Sequence, residues 1–203
     1  MPTIHIVEGP AGAGKSYYIG KRMAELPGSA NVSISVSTFF QQAGLRAMPS
    51  GADDVMYGML LDSSRLLMAF HLAIINGHDH VFIDRFVVSQ FVYGYLRRRE
   101  RPHEMTLRPF DPTLVSSEIR GILHEGYNYA RYLNPAFLRF SIPDFEIVFI
   151  LPDEETIESR RALAERAFPF GMGDYALYSS MVNDPAMIAR FTDQVGNTTV
   201  IRE

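Results

Sequence analysis

Thr3 to Glu8 alternate as a buried strand, with β-branched Ile4, Ile6 and Val7, and run straight into Gly9-Pro10-Ala11-Gly12-Ala13-Gly14-Lys15-Ser16. A helical pattern takes over at about Lys15 and continues to Leu26, stopped by Pro27-Gly28. No other stretch constrains the fold as tightly. The spacing G-x-x-x-x-G-K-[ST] between strand and helix lets backbone N–H groups turn inward around phosphate oxygens, with the positive end of the helix dipole behind them. Lys15 then supplies a point charge for β- and γ-phosphates, and the Ser16 hydroxyl a ligand for Mg²⁺. Ala11, Gly12, Ala13, Gly14, Lys15 and Ser16 are therefore the expected cradle of a nucleotide. A dinucleotide fold would need G-x-G-x-x-G, and Tyr17 stands where its last glycine belongs.

The rest of the chain alternates strand and helix. Strands are expected at Val32–Val36, His80–Asp84, Phe145–Leu151 and Thr198–Ile201. Helices are expected at Asp54–Asn76, Val88–Arg101, Thr113–Tyr132 and Asp153–Ala167, with a partly broken helix over Asp174–Thr192. That order predicts an α/β fold: a parallel sheet of about five strands with helices on both faces. At 203 residues, without repeats or a linker, residues 1–203 read as one domain.

Composition excludes several classes. With 47% hydrophobic and 21% charged residues the chain is not a disordered one, and no apolar run is long enough to span a membrane. Zero cysteines leave no disulfide framework and no thiolate metal site. The start lacks a secretory signal, so a cytoplasmic location is the default. A net charge of −4 argues against a generally basic nucleic-acid binder. Lysine occurs only at Lys15 and Lys21, which leaves none for the Asn-Lys-x-Asp guanine signature of small GTPases.

Beyond the loop, Asp84 and Arg85 end a buried strand, where open α/β sheets place their ligands. Asp84 is a candidate metal holder or proton acceptor, and Arg85 a clamp for an anionic substrate. Asp153 to Arg161 begins with acids and ends with bases, as a helix dipole favours. Its arginines Arg160 and Arg161, with Arg166, suit either a solvated helix or a lid over a phosphoryl group. The run Leu96-Arg97-Arg98-Arg99-Glu100-Arg101 fits a solvated helix end or a phosphate-backbone contact. His78-Asp79-His80 reads as a surface turn.

These residues resemble the thymidylate kinase-like branch of P-loop nucleotide kinases. Leu60-Leu61-Asp62-Ser63-Ser64-Arg65 is similar to the family helix ending in an acceptor-binding arginine. Asp84-Arg85-Phe86-Val87-Val88-Ser89-Gln90-Phe91-Val92-Tyr93 is similar to its D-R-[FY]-x-x-S-x-x-x-Y stretch. Pro143-Asp144, Pro152-Asp153-Glu154 and the two following arginines match its strand-then-lid order. The chain departs at Ser37 to Gln42, where the family carries Arg-Glu-Pro-Gly-Gly, at Gly94 in place of glutamine, and at Glu203, short of an adenine-flanking loop.

The resemblance implies a three-layer P-loop kinase fold with a lid at about 153–173, and transfer of the γ-phosphoryl of ATP, with Mg²⁺, to a thymidine-like deoxynucleotide. Lys15, Asp84, Arg85, Arg160 and Arg161 would be catalytic. Ser16 and Asp84 would hold the metal, and Arg65, Arg85, Ser89, Gln90 and Tyr93 would bind the acceptor. A small-molecule nucleotide is the expected partner, with homodimerisation left open. Two alternatives stand beside it: a kinase acting on the hydroxymethyl group of 5-hydroxymethyluracil in DNA, as in phage-type relatives, and a non-catalytic nucleotide switch.

Overall fold

The computed structural model describes residues 1–33, 52–99, 110–164 and 170–203, apart from the side chains of 52–59 and 98. Strand β1 (Thr3–Glu8) leads through the glycine loop into α1 (Lys15–Glu25) and then β2 (Ser29–Val32). Helix α2 (Ala52–Phe70) ends in a wider π-helical turn at His71–Ile75, followed by β3 (His80–Asp84), α3 (Val87–Arg99) and α4 (Pro112–Leu133). After β4 (Asp144–Ile150) come α5 (Glu154–Ala162), α6 (Gly173–Val182), α7 (Pro185–Val195) and β5 (Thr198–Ile201).

The five strands form one parallel sheet in the order β2-β3-β1-β4-β5. Alternate residues of the inner strands feed two cores. Ile4, Ile6, Val81, Ile83, Ile147 and Phe149 pack with α2, α3, α4, α6 and α7. Val7, Phe82, Val148 and Ile150 pack with Ile19 of α1 and Ile157 of α5. Helices thus cover both faces, which is why β1, β3 and β4 read as nearly continuous apolar runs. The result is the three-layer α/β fold of P-loop kinases.

Registry fixes where the chemistry gathers. Val7 sits opposite both Asp84 and Val148, so the C-terminal ends of β1, β3 and β4 lie side by side. The connection after β1 runs outward past β3 while β4 joins the other side, so the crevice where strand order reverses opens between β1 and β3.

Two expected elements are corrected, and the helix expected over Asp153–Ala167 ends at Ala162. The second strand was expected at Val32–Val36; the observed β2 ends at Val32 and pairs Ser29–Val32 with His80–Ile83. Gly28, at φ 76°, reverses the chain at once after α1, and pairing with β3 overrides the weak strand preference of Ser-Ala-Asn. Residues 34–36 lie outside the described residues. The broken helix over 174–192 is two separate helices. Asp184 accepts from Ala186 N at 2.9 Å with Pro185 behind it, restarting the chain as α7. Among the described residues, no helix is long and apolar enough to cross a membrane.

Candidate active site

Gly9 leaves β1 at φ 149°, and a Cβ there would collide with the Ile150 carbonyl oxygen, so this position accepts no side chain. The loop wraps back to start α1 at Lys15. Lys15 is buried, and its ammonium donates to the Gly9 and Pro10 carbonyls at 2.8 and 2.6 Å. Burial, and then the positive charge of Arg85, bring its pKa down to about 7, against the opposing pull of Asp84, Glu8 and Asp174. The ammonium thus rests on two neutral carbonyls, weaker acceptors than an anion would be.

Ser16, in the first turn of α1, donates its hydroxyl to Asp84 Oδ2 at 3.1 Å. The other carboxylate oxygen, Oδ1, is buried and has no hydrogen-bond partner among the described residues. A hydroxyl and an unspent carboxylate oxygen at the foot of a phosphate cradle are the hard oxygen donors that Mg²⁺ takes, so the residues present fit that ion.

Glu8, the last residue of β1, was not anticipated. Its side chain is fully buried and accepts from Phe86 N at 2.8 Å and Ser89 N at 3.3 Å. The Ser89 hydroxyl donates at 2.5 Å and the Tyr178 hydroxyl at 3.0 Å. The carboxylate therefore caps the start of α3 from another strand and locks that helix to the glycine loop. Burial pushes its pKa up, while the bonds from Ser89, Phe86 and Tyr178 oppose the rise. The signal in the sequence was an acid between a buried strand and the first loop glycine. Ser89, expected to touch the acceptor, is instead 2% exposed and committed to Glu8 and Tyr178.

Arg85 has φ 68°, the left-handed region that a side chain rarely adopts. Its N–H donates to Val7 O at 3.0 Å and its carbonyl accepts from Arg65 Nη1 at 2.9 Å, so both ends of the strained residue are held. The guanidinium lies 4.9 Å from the centre of the Tyr93 ring. Arg65, expected to bind the acceptor, is 3% exposed, pairs with Asp62 at 3.2 Å and buttresses Arg85. Burial lifts the Asp62 pKa to about 8, with bonds from Arg65 and Gln90 pulling against it. Gln90 is thus tethered to Asp62, while Tyr93 presents its ring to Arg85 and its hydroxyl to Asp174 at 3.0 Å.

From α5, Arg160 donates to Ala13 O at 2.9 Å and Arg161 to Ala11 O at 2.8 and 2.7 Å. Both expected lid arginines therefore reach the loop, whereas Arg166 lies outside the described residues. The Ala11 N–H, expected on phosphate, is instead given to Asp174 Oδ2 at 2.9 Å. Of the basic run, Arg97 and Arg99 stand on the last turns of α3; the side chain of Arg98 and residues 100–101 lie outside the described residues. His78 bonds Gly28 O at 3.0 Å and His80 bonds His5 at 3.1 Å, at the N-terminal ends of the strands and away from the loop.

A parallel sheet with the glycine loop after its central strand, an acid ending β3 and arginines above the loop defines the P-loop kinase class of fold. One solved structure shares that fold. Thymidylate kinase from Candida albicans superposes with a TM-score of 0.50 at 13% identity, covering 99% of this chain and 83% of that one. Deoxyadenosine kinase from M. mycoides with bound dATP gives a TM-score of 0.48 at 13% identity, over 98% and 90% of the two chains. No family model matches the sequence, and neither does any curated protein.

Proposed function

We propose that this protein is a P-loop kinase that moves the γ-phosphoryl of ATP onto a thymidine-like deoxynucleoside monophosphate. The observation that carries the reading is the convergence of Lys15, the Ser16–Asp84 pair and the constrained Arg85 at the C-terminal ends of β1 and β3. Lys15 exchanges its two carbonyl partners for β- and γ-phosphate oxygens, and the loop amides from Gly12 to Ser16 receive the rest of the triphosphate. Mg²⁺, held by Ser16 with Asp84 behind it, would neutralise charge spread over those oxygens. Arg85, fixed from both sides, is placed to hold the acceptor phosphate in line with the donor.

Gln90, tethered to Asp62 from the helix that also carries Tyr93, would supply a hydrogen-bonding edge for a base. In this reading α5 is the described part of the lid, since its Arg160 and Arg161 already reach the loop. A monophosphate oxygen is a ready nucleophile, so this acceptor needs no general base. The thymidylate kinase that shares the fold is consistent with that substrate class.

One observation favours the DNA alternative: Asp84 Oδ1, without a hydrogen-bond partner among the described residues, is a strand-end oxygen able to take a proton from an alcohol. The test is incubation with γ-labelled ATP and Mg²⁺ in parallel with dTMP, the other deoxynucleoside monophosphates, and DNA containing 5-hydroxymethyluracil. Label in dTMP is expected. Label only in the polymer replaces the acceptor by DNA, and ATP binding with label in none of them returns the protein to a nucleotide-binding switch.

A further inference from the structure

The kinase reading leaves unassigned a buried carboxylate that touches three parts of the site at once. Asp174, at the start of α6, is 2% exposed and has both oxygens filled. Oδ2 accepts from Ala11 N at 2.9 Å and from the Tyr93 hydroxyl at 3.0 Å. Oδ1 accepts from Arg161 Nη2 at 2.7 Å and from Tyr175 N at 2.8 Å. It therefore joins the first half of the glycine loop, the arginine helix α5, and the aromatic ring beneath Arg85.

The two lid arginines are held very differently. The side chain of Arg161 is 8% exposed, donates twice to Ala11 O, and also reaches Gly171 O and Met172 Sδ while paired with Asp174. Its Cγ lies 3.1 Å from where a Cβ on Gly12 would stand, so the guanidinium stem rests on the loop itself. Moving it would strand the Asp174 charge in the interior, which is strongly unfavourable. Arg160 is exposed and donates to one neutral carbonyl, that of Ala13. An ionised phosphoryl oxygen is the stronger acceptor, so Arg160 can change partners without leaving a buried charge behind.

Building on the kinase reading, we propose that Asp174 is a positioning residue that couples the lid to the donor cradle. It fixes Arg161 as a permanent clamp and leaves Arg160 as the arginine that moves onto the transferring phosphoryl group. The Ala11 peptide is gripped from both sides, its N–H by Asp174 and its carbonyl by Arg161, so the loop is set before nucleotide arrives. Asp174 itself has no part in contacting phosphate. The same oxygen that holds the loop holds Tyr93, which carries the coupling across to Arg85.

The test compares Asp174→Asn, Arg161→Met, the double variant and Arg160→Ala in the full chain. Calorimetric titration with AMP-PNP and Mg²⁺ reports the cradle; steady-state transfer to dTMP reports kcat and KM. Asp174→Asn and Arg161→Met are each expected to weaken AMP-PNP binding about tenfold, with the double variant no worse than either single one. Arg160→Ala should leave that binding within about threefold and lower kcat about 100-fold. Additive losses in the double variant, or wild-type binding and kinetics in Asp174→Asn, overturn the proposal. If Asp174→Asn does not fold, Arg161→Met against Arg160→Ala decides, and a kcat defect confined to Arg161→Met rejects it. A wild-type protein that binds AMP-PNP yet labels no acceptor defeats the kinase reading alone, because the Asp174–Arg161 coupling is scored on binding.

Discussion

The Ser16 hydroxyl donates to Asp84 Oδ2 across 3.1 Å, tying the first turn of α1 to the end of β3 and leaving Asp84 Oδ1 open. If that open oxygen serves the metal, Asp84→Asn should lower kcat on the order of 100- to 1,000-fold. Binding of AMP-PNP in the absence of Mg²⁺ should change little, because the loop amides and Lys15 are untouched. Single-turnover transfer across a Mg²⁺ series checks this. An unchanged Mg²⁺ dependence would remove Asp84 from the metal site.

Lys15 carries a pH signature. Its pKa is lowered to about 7 in the folded chain and sits near 10.5 when exposed. Between those values the unfolded chain binds more protons, so this residue's contribution makes stability rise with pH over that window. Binding a triphosphate favours the charged ammonium. At pH 8 complex formation should therefore take up a proton, seen as a binding heat that varies with the ionisation enthalpy of the buffer. Lys15→Met should abolish the uptake and weaken binding.

Arg85 can be separated into backbone and side chain. At φ 68° alanine retains the strain and glycine relieves it. Arg85→Gly should be more stable than Arg85→Ala by about 1 kcal/mol in urea unfolding. Both variants should raise the KM for dTMP alike, by about 100-fold, since both lose a charge-assisted contact. Equal stabilities would mean that the neighbouring bonds, and not the residue type, absorb the strain.

Glu8 is expected to matter for architecture more than for chemistry. Glu8→Gln replaces an acceptor of four donors by an amide that must turn its own N–H₂ toward some of them. The cost should be on the order of 1–3 kcal/mol in chemical unfolding. Because burial raises its pKa above the usual 4.5, the folded chain holds this proton more tightly. Its contribution to stability falls as pH climbs from about 4.5 through the raised value. The variant should flatten that slope.

The strand-loop-helix unit at residues 3–25 was legible because glycine spacing, a lysine and a hydroxyl are local requirements of phosphate binding. Asp84-Arg85 could be placed at a strand end for the same reason. β2 was misplaced because its pairing with β3 outweighs local preference. The sequence alone therefore determined an α/β sheet with a phosphate cradle after its first strand, since those features depend on neighbours in the chain. Only the tertiary structure decided what each charge does. Glu8 meets Ser89 and Tyr178, Arg65 supports Arg85, and Asp174 reaches Ala11 and Arg161, across separations that no local pattern records. Burial makes those partnerships obligatory, because a charge taken out of water must find its counterpart wherever the fold brings one.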